Sequence, residues 1–537
     1  MDQLTILFVI FVATIFSVPV GRLIRLPSPV LMTLFGAGMA LLPAVPNPNL
    51  EPDLILPLVL PPLLFAAARR THWRQFKASW RTVLLLAVLL VVVTTAAVAA
   101  VFHAMDPGLP IGAAVLLGAL ISPPDPVAAS AVAGDLSLPR RLISTLETEG
   151  LFNDVTAVVI YGVAATAVTS HRFSAPGALG ELALSAVLAL VVGLGLGWCS
   201  SRAMGLLGDA TLQVGLSLLI PYAAYVAADR LHGSGVLAVL VYGLYLSDRT
   251  DADDVAYRLV GTAFWDIVEL LVTGFAFGLI GQELYVVVQA VGDHWTSLLG
   301  DAVAVLAVVV FVRLAWLLPA GWLANRISRS RGTGGVESDD DEDYDKPITW
   351  RETLVVWWAG MRGVVTVALA LAIPLTVDGG APFPGREEIL FTAFTVVLFT
   401  LVVQGLTLPV LVHVLKVGAD DKAERDAERH LWFRVAKAEL RHLNEAAEQG
   451  SIPDELYERL ANRQQGRLAR ACPEAIDDEV RAKAKKRYGE TRQLHQLEQE
   501  MNAAARREML AARSEPETDP ELVDRVMRRL DLRSERH

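Results

Sequence analysis

The chain has 537 residues, 53% of them hydrophobic and 20% charged, with a formal net charge of -11. Its two cysteines, Cys199 and Cys472, exclude a disulfide framework and a cysteine-ligated metal site. Acidic and basic residues are mixed where they are dense, so the net charge points to no nucleic-acid partner.

The apolar excess is confined to one part of the chain. From Met1 to about Lys416, long apolar runs alternate with short polar links; beyond about Gly418 the chain is rich in Glu, Asp, Arg and Lys. The expected organisation is a membrane domain over 1–416 and a cytosolic, mostly helical tail over 417–537. A helix needs about 20 apolar residues to cross the hydrocarbon core. The first run, "LTILFVIFVATIFSVPV", has no basic residue before it and no small-x-small site after it. It reads as a membrane helix rather than a cleaved signal. The all-α reading places thirteen spans at 3–20, 27–44, 52–68, 80–103, 110–133, 143–169, 177–203, 209–228, 233–248, 259–289, 296–325, 350–374 and 388–415, the third and ninth being short. With the N-terminus outside, the inside loops carry seventeen Lys and Arg residues, from Arg22 to Arg351. The outside loops carry three, Arg172, Arg230 and Arg386. Basic residues concentrate in cytoplasmic loops, so this count places the tail in the cytoplasm.

Span five contains "ISPPDPVAAS", residues 121–130, with its best helix breakers and a charge in the middle of the run. Proline removes a backbone donor and clashes with the preceding turn. In lipid, freed backbone groups are tolerated only where they face protein or a water-filled cavity. Asp125 adds an intramembrane ionisable group, which is a functional candidate by default. Span twelve carries the matching interruption, "AGMRG" at 359–363. The two spans are seven apart and therefore run in opposite directions, the geometry of an inverted repeat. Half-helix ends would face each other there; Asp125 can offset an N-terminal end and Arg362 a C-terminal end. Span six adds "LETEGLFNDVTAVVIYG", which brings Glu147, Glu149, Asn153 and Asp154 into a membrane helix. Glu149 and Asn153, four apart, share a face. Glu147 is expected in the headgroup region, and Asp154 lies deeper.

These motifs together resemble the sodium/proton exchangers of the monovalent cation:proton antiporter-1 family. "EGLFND" is similar to that family's signature helix, and "PPDPVA" to its Thr-Asp-Pro-Val break. "AGMRGVVTVALALAIP" is similar to its Gly-Leu-Arg-Gly helix. "FWDIVELLVTGFAFGLIGQEL", 264–284, resembles its tenth helix, and "LPPLLFAAARRTHWRQF", from Leu60, its third. The resemblance covers about 1–416 and leaves out the tail. It implies a homodimer with the thirteen-helix fold, in which a six-helix core around crossed broken helices moves against a dimerisation region. It implies Asp154 as the carboxylate that binds the transported ion, Asn153 as its neighbour, Asp125 as the stabiliser of the crossing, and Glu149 paired with Arg362. The Asn-Asp pair implies electroneutral exchange. Ala66, Pro124 and Gly150 stand where the family carries possible oxygen ligands. Backbone carbonyls at the break, Ser122, Thr156 or water would substitute, so the choice among sodium, lithium and potassium stays open.

Either a proton or a hard monovalent cation can neutralise a buried carboxylate, and competition for one group is the coupling. Carrying Asp154 empty and charged through hydrocarbon would be costly, so reorientation is expected only when it is loaded. No cofactor is expected: the chain has no Gly-rich lysine loop for a nucleotide. Arg313 fits either a core ion pair or a watery funnel. Asp266 and Glu269 are expected to snorkel to the inner interface. Trp73, Trp80 and Trp295 read as interface anchors. The acidic stretch "ESDDDEDYD", 337–345, reads as solvated loop, and "DAERHLWFRVAKAELRHLNEAAEQG" as a soluble helical hairpin. Alternatives are a potassium-selective exchanger and a non-transporting sensor with a transporter-like body.

Overall fold

The computed structural model describes residues 3–24, 26–42, 51–71, 84–125, 138–170, 175–249, 255–331, 349–418, 421–450 and 452–471, with residues 501, 504–505, 507–509 and 526. The second half of span five, including Pro126, lies outside the described residues, as do 337–345, Trp73, Trp80, Arg172 and Cys472. The chain divides into two compact units, Met1–Ala419 and Asp420–His537.

The described part of the first unit is helical. Its helices are α1 (Gln3–Ile24), α2 (Ser28–Ala40), α3 (Pro52–Arg70), α4 (Leu90–Met105, entered through a π-helical turn at Leu84–Leu89), α5 (Ile111–Ile121) and α6 (Arg140–Ser170). They continue as α7 (Ala175–Leu206), α8 (Ala210–Arg230), α9 (Gly235–Arg249), α10 (Val255–Val291) and α11 (Trp295–Arg331). The last are α12 (Trp350–Trp358), α13 (Val364–Leu371), α14 (Arg386–Phe399) and α15 (Gly405–Leu415), the final two joined by a π-helical turn at Thr400–Gln404. Among the described residues, nine helices are long and apolar enough to cross a membrane by length and composition. Expected span twelve falls on the broken pair α12 and α13, span thirteen on α14 and α15, the described half of span five on α5, and the short ninth span on α9.

Local chemistry sets the boundaries. Asp209 caps α8, its Oδ1 accepting from Thr211 N at 2.7 Å. That backbone hydrogen bond holds the exposed Asp209 carboxyl below its ordinary value. At α12, Thr349 Oγ1 accepts from Glu352 N at 3.3 Å while Glu352 Oε2 accepts from Thr349 N at 2.7 Å. This reciprocal box satisfies donors that the first turn leaves free.

Membrane helices gain little from mutual apolar contact, because lipid is as apolar as leucine; small residues let backbones approach instead. α2 and α10 use this. A Cβ at Gly36 would land on the Gly278 carbonyl, and one at Gly281 on the Thr33 carbonyl. Further along α10, Gly274 leaves room for Thr14 of α1. In its N-terminal half α10 is tied to α3: Arg70 Nη2 bonds Asp266 Oδ1 at 2.9 Å and Glu269 Oε2 at 2.6 Å. Asp266 and Glu269 thus share a cationic partner on another helix.

In the second unit, α16 (Asp421–Glu448) and α17 (Asp454–Ala471) run antiparallel. Arg467 Nη1 meets Glu439 Oε2 at 3.2 Å, Tyr457 Oη donates to Asn444 Oδ1 at 2.9 Å, and Ala436, Leu443 and Ala461 are buried.

The α2–α10 contact gives a direct test. Gly36→Ala should cost about 1–3 kcal/mol through overpacking against backbone. Gly38→Ala, where a Cβ meets nothing within 4 Å, should be neutral. Thermal unfolding of both variants in detergent checks the contrast.

Candidate ion-binding site

The first break follows α5, and the second lies between α12 and α13. Each break supplies the groups that the other needs. Asp125 N donates to Met361 O at 2.7 Å, joining the two backbones directly. Asp125 Oδ2 accepts from Val364 N at 3.1 Å, which puts a carboxylate on the N-terminus of α13. Arg362 reaches the other way: its Nε donates to Ile121 O at 2.9 Å and its Nη2 to Ser122 O at 3.3 Å, at the C-terminus of α5. Its Nη1 also donates to Gly360 O. The negative side chain meets the positive helix end, and the positive side chain the negative end. Gly363 is required at this point, because a Cβ there would fall on the Asp125 carboxylate.

Asn153 is fully buried on α6, and its Nδ2 donates to Pro124 O at 3.3 Å. Its Oδ1 is buried with no hydrogen-bond partner. The next residue, Asp154, is half-buried and within electrostatic reach of Asp125. Its carboxylate has no hydrogen-bond or ion-pair partner among the described residues. The α6 segment therefore carries, at successive positions beside the break, an unpartnered buried amide oxygen and a carboxylate with no partner among the described residues. Ser122 and Thr156, the expected substitute ligands, donate their hydroxyls to Ala119 O and Phe152 O on their own helices. The Ser122 carbonyl is already taken by Arg362.

The expected pair of Glu149 with Arg362 is corrected. Glu149 is held by Arg313 of α11, with Nη1 to Oε1 at 2.5 Å and Nη2 to Oε2 at 3.1 Å. Both side chains are nearly inaccessible, at 3% and 1%. The planar guanidinium matches the carboxylate fork, which suits a buried pair. Arg362 is occupied by carbonyls of the breaks and makes no hydrogen bond to Glu149. Arg313 Nη2 also donates to Val356 O at 3.2 Å, near the end of α12. It is thus a core ion-pair partner rather than a funnel residue, and it packs against Gly360, where a Cβ would meet its Nε at 2.5 Å.

The site also includes residues that sequence reasoning did not single out. Trp357 Nε1 donates to Val310 O at 2.9 Å and Trp358 Nε1 to Thr407 Oγ1 at 2.8 Å, fixing α12 to α11 and α15. Thr400 accepts from Arg362 N at 3.1 Å. A threonine or tryptophan in an apolar run carries no distinguishing signal.

Comparison with known proteins agrees with this architecture. The family profile described as "Sodium/hydrogen exchanger, transmembrane" matches residues 7–414. The Na(+)/H(+) antiporter ApNhaP of Aphanothece halophytica is 30% identical over 437 residues, covering 80% of this chain and 77% of that protein. A sodium, potassium, lithium and rubidium/H(+) antiporter of Bacillus subtilis is 29% identical over 432 residues, covering 76% of this chain and 62% of its own length. The solved structure of the sodium proton antiporter MjNhaP1 from Methanocaldococcus jannaschii matches the fold with a TM-score of 0.58 at 20% identity, over 77% of this chain and 99% of that one.

The buried ion pair predicts a strong coupling. Removing one partner leaves a buried charge uncompensated, so Arg313→Gln and Glu149→Gln should each cost about 3–5 kcal/mol. The double variant should be much less destabilised than the sum, as unfolding in detergent will show; additive losses would mean that the pair does not act as a unit.

Proposed function

Starting from the fact that this chain belongs to the sodium/hydrogen exchanger family, a family of multi-pass membrane antiporters, we propose that it exchanges sodium for protons through competition at Asp154. The observation that carries this reading is the state of the Asp154 carboxylate, half-buried within electrostatic reach of Asp125 at the break and with no hydrogen-bond or ion-pair partner among the described residues. Asp125, Glu149, Arg313 and Arg362 each have a protein partner in the site. Among the groups of the site the carboxylate open to a mobile ion is Asp154, and the unpartnered Oδ1 of the adjacent Asn153 is the candidate neutral oxygen ligand. Sodium is a hard cation and suits such oxygen donors. Backbone carbonyls of the break and water complete its shell. Ser122 and Asp125 act as scaffold to the site more than as direct ligands, because their polar groups are engaged across the crossing.

One carboxylate that takes either one sodium ion or one proton gives electroneutral exchange. Coupling follows from the cost of moving an uncompensated charge through hydrocarbon: the empty carrier does not reorient. We assign the N-terminus to the outside and the tail to the cytoplasm, on the asymmetry of Lys and Arg between the two sets of loops. The expected homodimer and a regulatory role for Asp420–His537 belong to the same reading.

A broader cation range is the second reading. Ala66, Pro124 and Gly150 offer no side-chain oxygen, and the Bacillus subtilis relative is named for sodium, potassium, lithium and rubidium. A shell completed by water and carbonyls discriminates weakly by size.

Proteoliposomes carrying wild type or Asp154→Asn, assayed for cation-driven proton movement with sodium, lithium and potassium in turn, test both. The expected result is exchange by wild type with sodium and none by the variant. Full activity in Asp154→Asn would remove the carboxylate from its assigned role. A wild type that moves no cation at any pH would favour the sensor reading.

A further inference from the structure

The unwound segment between α12 and α13 poses a complete accounting problem, because a buried backbone donor without a partner is costly. Ala359 N donates to Val355 O at 2.8 Å, Gly360 N to Trp357 O at 3.2 Å and Met361 N to Ala359 O at 2.8 Å, all within the segment and the helix before it. Val364 N is taken by Asp125. The Arg362 N–H is different: it donates to a side-chain hydroxyl on another element, Thr400 Oγ1, at 3.1 Å. Thr400 is fully buried, and its own hydroxyl donates to Val397 O at 3.0 Å. That bond fixes the rotamer and leaves a lone pair toward the amide.

The place of Thr400 in its helix is unusual. It opens the π-helical turn Thr400–Gln404, where Gly405 N reaches back to Thr400 O. Such turns are rare and concentrate at functional sites. Beyond the turn, Thr407 Oγ1 accepts from Trp358 Nε1 at 2.8 Å. One helix thus holds both the last residue of α12 and the middle of the unwound segment.

We infer that Thr400 is a positioning residue for the ion site, holding the Arg362 backbone so that the two breaks stay in register; this rests on the proposed role of Asp154. Thr400 acts through others. Arg362 carries the guanidinium that holds Ile121 O and Ser122 O, and the preceding carbonyl, Met361 O, holds Asp125 N. Asp125 follows Pro124, whose carbonyl holds Asn153 next to Asp154. Three hydrogen bonds therefore connect Thr400, through the Arg362 amide, to the residue next to the ion-binding carboxylate.

The test compares Thr400→Val, which keeps the shape and loses the acceptor, with Thr400→Ser, which restores it. Two readouts are taken: sodium-dependent exchange in proteoliposomes, and hydrogen exchange of peptides covering 359–363 in detergent. Thr400→Val should raise the apparent KM for sodium on the order of tenfold, the scale of one buried unsatisfied donor. It should also speed exchange of the 359–363 peptide, with Thr400→Ser close to wild type in both. Wild-type KM and wild-type peptide exchange in Thr400→Val would overturn the inference. So would a loss of thermal stability with KM unchanged, since that marks packing alone. If Thr400→Val fails to accumulate, Thr400→Cys is read by the same two outcomes. The peptide readout needs no transport, so an inactive wild type would count against the Asp154 reading while peptide exchange still decides whether Thr400 holds the segment.

Discussion

The structure turns on one constraint: inside a membrane every backbone polar group must find a partner in protein or water. The break after α5 and the break between α12 and α13 leave donors and acceptors that neither could satisfy alone. Here they satisfy one another. Asp125 from the first break caps α13, Arg362 from the second caps α5, and Asp125 N to Met361 O closes the contact between them. Gly363 follows from this arrangement, because any side chain would displace the Asp125 carboxylate. The tryptophan and threonine contacts around α12 keep its end where the exchange of caps requires it.

The same arrangement supports the proposal that Asp154 is the charge that serves the transported ion. Burying a charge is costly unless it is paired and hydrogen-bonded. Glu149 and Arg313 neutralise each other in a forked pair, and Asp125 and Arg362 are matched to helix ends of opposite sign. A fifth ionisable group, Asp154, lies within electrostatic reach of Asp125 and has no fixed countercharge among the described residues. In this reading its countercharge is the cargo, and the fixed ion pairs are what make the empty state unfavourable to move.

Much of this was legible in the sequence. Three prolines around an aspartate, an arginine between glycines and an odd offset of seven spans from one to the other are enough to call for crossed antiparallel breaks. The signs of Asp125 and Arg362 are enough to assign their helix ends. The partner of Glu149 was not legible. Two buried arginines compete for one glutamate, and only three-dimensional structure shows that Arg362 is occupied by carbonyls while Arg313 of α11 approaches Glu149. The Arg70 partner of Asp266 and Glu269 was not legible for a similar reason, since it lies on a helix distant in sequence. Thr400 carried no signal, because an apolar pattern does not reveal a π-helical turn or the amide it must satisfy. Hydropathy finds spans well; it says little about which polar side chain in a span is engaged.

The central claim is that sodium and protons share one carboxylate, and the most direct measurement is the apparent KM for sodium as a function of pH in proteoliposomes. Competition requires the KM to rise as the pH falls, with the maximal rate recovered at saturating sodium. A KM that stays constant while the maximal rate falls would mean that proton and cation occupy separate groups, and would contradict the account.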